Sequence, residues 1–223
     1  MRDSTPSLYA YIITSLLVII FYVLKLEDFI TIFKPVIVPA IYFYYIQTTI
    51  RPIDILFSLA IWIFFIADMA EIVDSERGIY LMMFCGLISY FIMFRYGLKD
   101  GVKLSLSFKT LLITIVLFGG LALAASYIIT YLGPLDIVRL SFFIIYAVVI
   151  ISIVCYALLR FFSKNDQLSR LFLAMASVMF LSDLLYAYTR YVEFYTLVGV
   201  LSFVGQFISY YWMVEYFNKR KMI

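Results

Sequence analysis

Two aspartates stand inside long apolar stretches of the chain, where a charged side chain is costly. Asp68 lies in the stretch Phe64–Glu71, and Asp183 lies in the similar stretch Met179–Leu184. A charge near the centre of a bilayer costs about 2.5–3.5 kcal/mol on insertion scales, so such residues usually mark a functional site. Two carboxyl groups in one cavity can divide into a protonated acid and an ionised base. Such a pair can protonate a substrate and direct water onto an oxocarbenium-like intermediate.

A structural role is the alternative for both aspartates. Buried carboxylates bonded to Lys34, to tyrosines or to backbone groups would hold helices together without doing chemistry. Lys34 also has two interpretations. Its ammonium group could keep an aspartate ionised or bind a phosphate head group, or its side chain could simply extend to the membrane surface. The sequence leaves these alternatives open.

Four more polar residues could line the same site. Two of them follow an aspartate by three residues and therefore share its helix face. The other two lie in separate apolar segments, where they could line a cavity or only bond a neighbouring helix. In chain order the four residues are Glu71, Tyr146, Tyr186 and Gln206.

The absence of histidine narrows the possible chemistry. Without histidine the chain has no Ser/His/Asp triad and no imidazole relay, and a zinc site is disfavoured. We therefore expect chemistry that relies on carboxylates, Lys, Tyr, Ser or water, with no metal and no cofactor. The net charge of +3 is too small to suggest nucleic acid as a partner. Cys85 and Cys155 lie in apolar segments, so no disulfide framework is expected.

Hydropathy identifies the class of protein. The 223 residues are 65% hydrophobic and 14% charged, and the mean hydropathy is +1.05, whereas soluble domains are nearer half apolar and a quarter charged. Eight apolar segments joined by short polar connections predict an all-α polytopic membrane protein in a single domain, residues 1–223. The segments cover about 8–24, 29–49, 53–73, 78–97, 109–131, 136–161, 168–190 and 192–217.

Basic residues predict the orientation of these segments. If the chain alternates sides, most of its 17 Lys and Arg residues fall on one side, and the opposite side carries only Lys25, Arg77, Arg139 and Arg190. The positive-inside rule then makes the richer side and both termini cytoplasmic, in a bacterial inner membrane or an equivalent one. The helix directions bring Asp68, Asp183 and Lys34 to one layer toward the outer leaflet.

An internal repeat is a further prediction. When Asp68 is aligned with Asp183, several aromatic and small residues around them also match. The two halves, about 1–104 and 105–223, would then have the same orientation. This is a parallel duplication of four plus four segments, and the interface between such repeats commonly builds a central polar site.

Six short motifs occur in order along almost the whole chain: Lys34-Pro35, Ala67-Asp68, Gly86-Leu87, Tyr146, Ser182-Asp183 and Gln206. In their order and spacing the chain resembles the YhhN/TMEM86 family of eight-span membrane proteins, whose characterised members are lysoplasmalogenases. It departs from the family pattern in two places. Ala67 replaces the usual glycine, and the segment Phe91–Arg95 lacks the histidine that members often carry there.

The resemblance implies hydrolysis of the vinyl ether bond of a lysoplasmalogen to a fatty aldehyde and glycerophosphoethanolamine or glycerophosphocholine. Asp68 and Asp183 would be the acid and the base, in an order that the sequence leaves open. The partners would be a lysophospholipid-type substrate and membrane lipid, whereas head group, chain length and oligomeric state are undetermined. Two alternative functions belong to other classes of protein: a small-molecule or proton-coupled transporter, and a non-catalytic lipid-binding membrane protein.

Overall fold

The computed structural model describes residues 5–50, 52–73, 76–101, 107–131 and 137–220. Within these ranges the chain forms helices and short connections, with no strand. The described helices are α1 (Thr5–Val23), α2 (Glu27–Thr48), α3 (Ile55–Ile72), α4 (Glu76–Lys99), α5 (Phe108–Thr130), α6 (Ile137–Ser163), α7 (Gln167–Tyr191) and α8 (Thr196–Lys219).

All eight described helices are long and apolar enough to cross a membrane. The predicted all-α class is thereby confirmed, and the helix lengths and composition indicate an integral membrane protein. The predicted boundaries agree closely, with the largest difference at the start of α8. Val192 and Glu193 both donate their backbone N–H groups to the carbonyl of Tyr188. These bonds end α7 and turn the chain, so α8 begins only at Thr196 although three of the four residues between the helices are Val, Phe and Tyr.

Polar side chains in the connections cap the N-termini of α3 and α7. Asp54 accepts a hydrogen bond from the Phe57 N–H at 3.1 Å and caps α3. Asp166 caps α7 by accepting from the Ser169 N–H at 2.7 Å. Burial raises the pKa of the Asp166 carboxyl, but the Ser169 N–H and the Lys164 ammonium outweigh burial and hold that pKa below its usual range. The cap is therefore ionised at neutral pH.

The described chain forms two compact units, and each is considered by itself. Unit 1 comprises Met1–Met93 and Met213–Ile223, and unit 2 comprises Phe94–Trp212. In unit 1, α2 packs against both α1 and α3. In unit 2, α5, α6 and α7 pack against one another. The single membrane domain with half-repeats of about 1–104 and 105–223 stays a prediction.

The last turns of α8 are part of the core of unit 1. The Phe217 ring stacks on the buried Phe57 ring of α3, with centroids 3.6 Å apart and planes at 15°. Arg220 then places a guanidinium nitrogen 3.4 Å from a carboxylate oxygen of Asp54, the residue that caps α3. Aromatic stacking and an ion pair thus tie the end of the chain to the start of α3.

In unit 2 the C-terminal end of α4 is capped by side chains of α6. The last carbonyls of a helix lack partners within it, and Gly97 is in the final turn of α4. Its carbonyl accepts from the Tyr156 hydroxyl at 3.1 Å and from Arg160 Nη1 at 3.4 Å. The buried Arg160 guanidinium also lies over the Phe172 ring, 5.6 Å from the centroid. The contact explains how an arginine is accommodated within an apolar helix.

Gly97 is required at this contact, because a Cβ there would overlap the Phe172 ring, whose Cε1 atom would lie 2.9 Å away. We expect Gly97→Ala to lower the free energy of unfolding by about 1–3 kcal/mol through overpacking. Gly119→Ala is the matched control, since a Cβ at Gly119 meets nothing within 4 Å and alanine favours the helix by up to about 1 kcal/mol. Thermal unfolding in detergent measures both. Equal melting temperatures for the two variants would contradict the packing.

Candidate functional site

Lys34 and Glu71 form an ion pair inside unit 1. The Lys34 ammonium of α2 lies 2.5 Å from Glu71 Oε2 of α3. The Lys34 side chain is only 3% exposed, and that of Glu71 is 17% exposed. Lys34 therefore turns into the unit instead of extending along its surface, and its ammonium donates to the Glu71 carboxylate. A buried ammonium and its counterion lower each other's desolvation cost.

Asp68 is a turn away from Glu71 on α3 and is also buried. The phenol of Tyr11 on α1 lies close enough to Asp68 for an electrostatic interaction, and Tyr22 interacts in the same way with Glu71. The sequence analysis did not single out these two tyrosines, because they are two of 20 tyrosines in an apolar chain. The signal that could have found Tyr11 is the series of polar residues on one face of α1.

Asp183 is held by Tyr146 inside unit 2. The Tyr146 hydroxyl of α6 donates to Asp183 Oδ2 of α7 at 2.7 Å. Both side chains are half-buried. The structure thus brings together two polar residues that the sequence selected from separate apolar segments. A phenol that donates to a carboxyl oxygen helps to fix the orientation of the group.

Tyr186 and Gln206 also lie in unit 2, and both are half-buried. Gln206 Nε2 donates to the Tyr210 hydroxyl at 3.4 Å, a contact within α8. Tyr186 shares the α7 face of Asp183, and its backbone carbonyl accepts from the Thr189 hydroxyl at 2.9 Å. The contacts described for these two residues are local to their helices, so their predicted role in lining a site stays a prediction.

The helix that carries Asp183 is fixed by the residue before it. The Ser182 hydroxyl donates to the Ser202 carbonyl at 2.9 Å, and the Ser202 hydroxyl donates to the Ser182 carbonyl at 3.0 Å. A Cβ at Gly205 would lie 3.1 Å from Ser182 Cβ, so a small residue is needed there. Small residues and reciprocal bonds of this kind hold α7 and α8 together at Asp183.

The two acidic positions therefore have different surroundings: Asp68 is near a tyrosine and a charged pair in unit 1, and Asp183 accepts from a phenol in unit 2. Within the described residues no group of three His, Cys, Asp or Glu side chains could hold a metal ion. A cavity shared by Asp68 and Asp183 stays a prediction. Comparison of the chain with protein-family models, curated proteins and solved structures finds no match.

The Lys34–Glu71 pair can be tested by a double-mutant cycle. Lys34→Met or Glu71→Met alone removes one member of a buried ion pair, and we expect each to cost about 2–4 kcal/mol in the free energy of unfolding. The double variant removes both charges and should recover most of that loss. Lys164→Met is the control, because the Lys164–Asp166 pair is exposed and its cation is worth less than about 1 kcal/mol. Additive losses in the double variant would contradict the pairing.

Proposed function

We propose that the protein is a membrane-embedded hydrolase of the lysoplasmalogenase type and a member of the YhhN/TMEM86 family. It cleaves the vinyl ether bond of a lysoplasmalogen to a fatty aldehyde and glycerophosphoethanolamine or glycerophosphocholine. The observation that supports this proposal most is the Tyr146–Asp183 hydrogen bond at 2.7 Å. An oriented carboxyl group within apolar helices is suited to proton transfer with a substrate that arrives from lipid.

The proposed chemistry uses the two aspartates and water. One carboxylic acid donates its proton to the vinyl carbon remote from the ether oxygen, which leaves an oxocarbenium ion. The other carboxylate stabilises that cation and removes a proton from water as the water oxygen bonds to the carbon beside the ether oxygen. The resulting hemiacetal then loses its hydroxyl proton to the first carboxylate, while the second carboxylic acid protonates the departing ether oxygen. Aldehyde and alcohol are released, and both aspartates regain their starting states.

An apolar setting suits this substrate. A lysophospholipid has one hydrocarbon chain, and the reactive bond joins that chain to the glycerol, at the boundary between lipid and head group. The surroundings of Asp68 combine a buried carboxyl group with the neighbouring Lys34–Glu71 ion pair. An ionised carboxylate there would stabilise positive charge that develops beside an apolar chain, because charges act more strongly on one another away from water.

We also propose an orientation of the helices in the membrane and an internal repeat of the chain. The basic residues support cytoplasmic termini, with the catalytic aspartates toward the outer leaflet of a bacterial inner membrane or an equivalent one. The matches around Asp68 and Asp183 support a parallel duplication of four plus four helices. Membrane lipid and the lysolipid substrate are the partners that this arrangement requires.

We expect the purified protein to release aldehyde from lysoplasmenylethanolamine in detergent or proteoliposomes. Asp68→Asn and Asp183→Asn should each lower kcat by about a hundredfold or more, because each removes a proton-transfer group. Tyr146→Phe should lower kcat by about tenfold, since it removes only the bond that orients Asp183. Asp28→Asn is the control, because Asp28 is an exposed carboxylate at the start of α2.

Two results would contradict the proposal: no aldehyde from the wild-type protein, or full rates in both aspartate variants. Intact lysolipid together with proton uptake into the same proteoliposomes would instead favour a transporter.

A further inference from the structure

Helix α1 has its polar face turned into unit 1. Tyr11, Thr14 and Ser15 are buried, with 4%, 7% and 7% of their surface exposed. On the opposite face Ile13 and Leu16 are 55% and 53% exposed. A helix that faces lipid with apolar residues and buries its hydroxyl groups must satisfy those groups inside the protein, because the hydrocarbon provides no partner.

One of these buried hydroxyl groups is not satisfied by the protein. The Ser15 hydroxyl lies next to the Tyr11 phenol, yet Ser15 Oγ is buried and makes no hydrogen bond of normal geometry with any described residue. Leaving such a group unpaired costs about 1–3 kcal/mol. The buried Ser89 of unit 1 differs: its hydroxyl donates to the Ala60 carbonyl at 3.1 Å.

A carboxyl group completes the surroundings of Ser15. Tyr11 and Ser15 are four residues apart and share one face of α1, and the Tyr11 phenol interacts with both Ser15 and Asp68. All three side chains are more than nine-tenths buried. Two hydroxyl groups and one carboxyl group in a buried cluster provide the two to four polar partners that an internal water molecule needs.

We infer that Tyr11, Ser15 and Asp68 bind a water molecule and that this is the water consumed in hydrolysis. The inference rests on the proposed function and extends it by naming the carboxylate that receives the proton of this water. Asp68 is the carboxylate that accepts a proton from this water as the water oxygen bonds to the oxocarbenium carbon. Tyr11 and Ser15 are positioning residues, because they act on the water and not on the lipid.

The first test concerns the water itself and needs no activity. A crystal structure of the full chain at a resolution that shows ordered water should contain a water molecule within hydrogen-bond distance of Tyr11 Oη, Ser15 Oγ and an Asp68 carboxylate oxygen. Ser15→Ala should lose this water or displace it. A structure without water at this position overturns the inference, whatever the activity of the protein.

The second test concerns the use of the water and employs methanol as a competing nucleophile. Attack by methanol on the oxocarbenium ion gives a mixed acetal, so the ratio of acetal to aldehyde reports how well water is held. We expect Ser15→Ala and Tyr11→Phe to lower kcat by about tenfold to a hundredfold, to raise that ratio severalfold, and to leave KM for the lysolipid unchanged. A purely structural loss would lower the yield of folded protein without changing the ratio.

Ser89→Ala is the matched control, since it removes a buried serine hydroxyl of the same unit that already has a partner. If Ser15→Ala gives the same ratio as Ser89→Ala, the assignment of this water to hydrolysis is wrong. If the wild-type protein releases no aldehyde, the proposed function fails. The crystallographic test then decides the water site alone: ordered water there supports the site, and its absence overturns it.

Discussion

The structure depends on one constraint: polar groups inside apolar helices must find their partners within the protein. Lys34 and Glu71 meet this constraint as an ion pair at 2.5 Å. Arg160 meets it by bonding the Gly97 carbonyl at the end of α4. Asp183 meets it by accepting from a phenol. Each solution joins two helices, so the costly residues also determine how the helices pack.

Close packing follows from the same constraint. A hydroxyl or guanidinium group reaches a backbone carbonyl of another helix only where a small residue lets the helices approach. Gly97 has this role beneath the Phe172 ring, and Gly205 has it beside Ser182. The reciprocal Ser182–Ser202 bonds then fix the segment that carries Asp183. Asp183, one of the two proposed catalytic carboxyl groups, is thus oriented by its neighbours in the fold before any substrate arrives.

The class of fold and the positions of the helices could be predicted from the sequence, because long apolar runs and the polar breaks between them are visible in the order of the residues. The sequence indicated both Tyr146 and Asp183 as candidate site residues, but it could not show that the two side chains are in contact. The contact between Lys34 and Glu71 could not be predicted, since Glu71 and Asp68 share one face of α3 and only the packing of α2 on α3 shows which groups the ammonium reaches. Ser15 lies on the polar face of α1, but its burial is visible only in the structure.

The central claim is that a protein carboxylic acid transfers a proton to carbon within an apolar site. Hydrolysis in deuterium oxide tests it most directly, with the aldehyde reduced at once to the alcohol to prevent exchange. The account predicts one deuterium on the carbon next to the former carbonyl, in a single configuration, because the acid reaches only one face of the double bond. Label in both configurations, or an unlabelled product, would contradict proton delivery by a fixed acid.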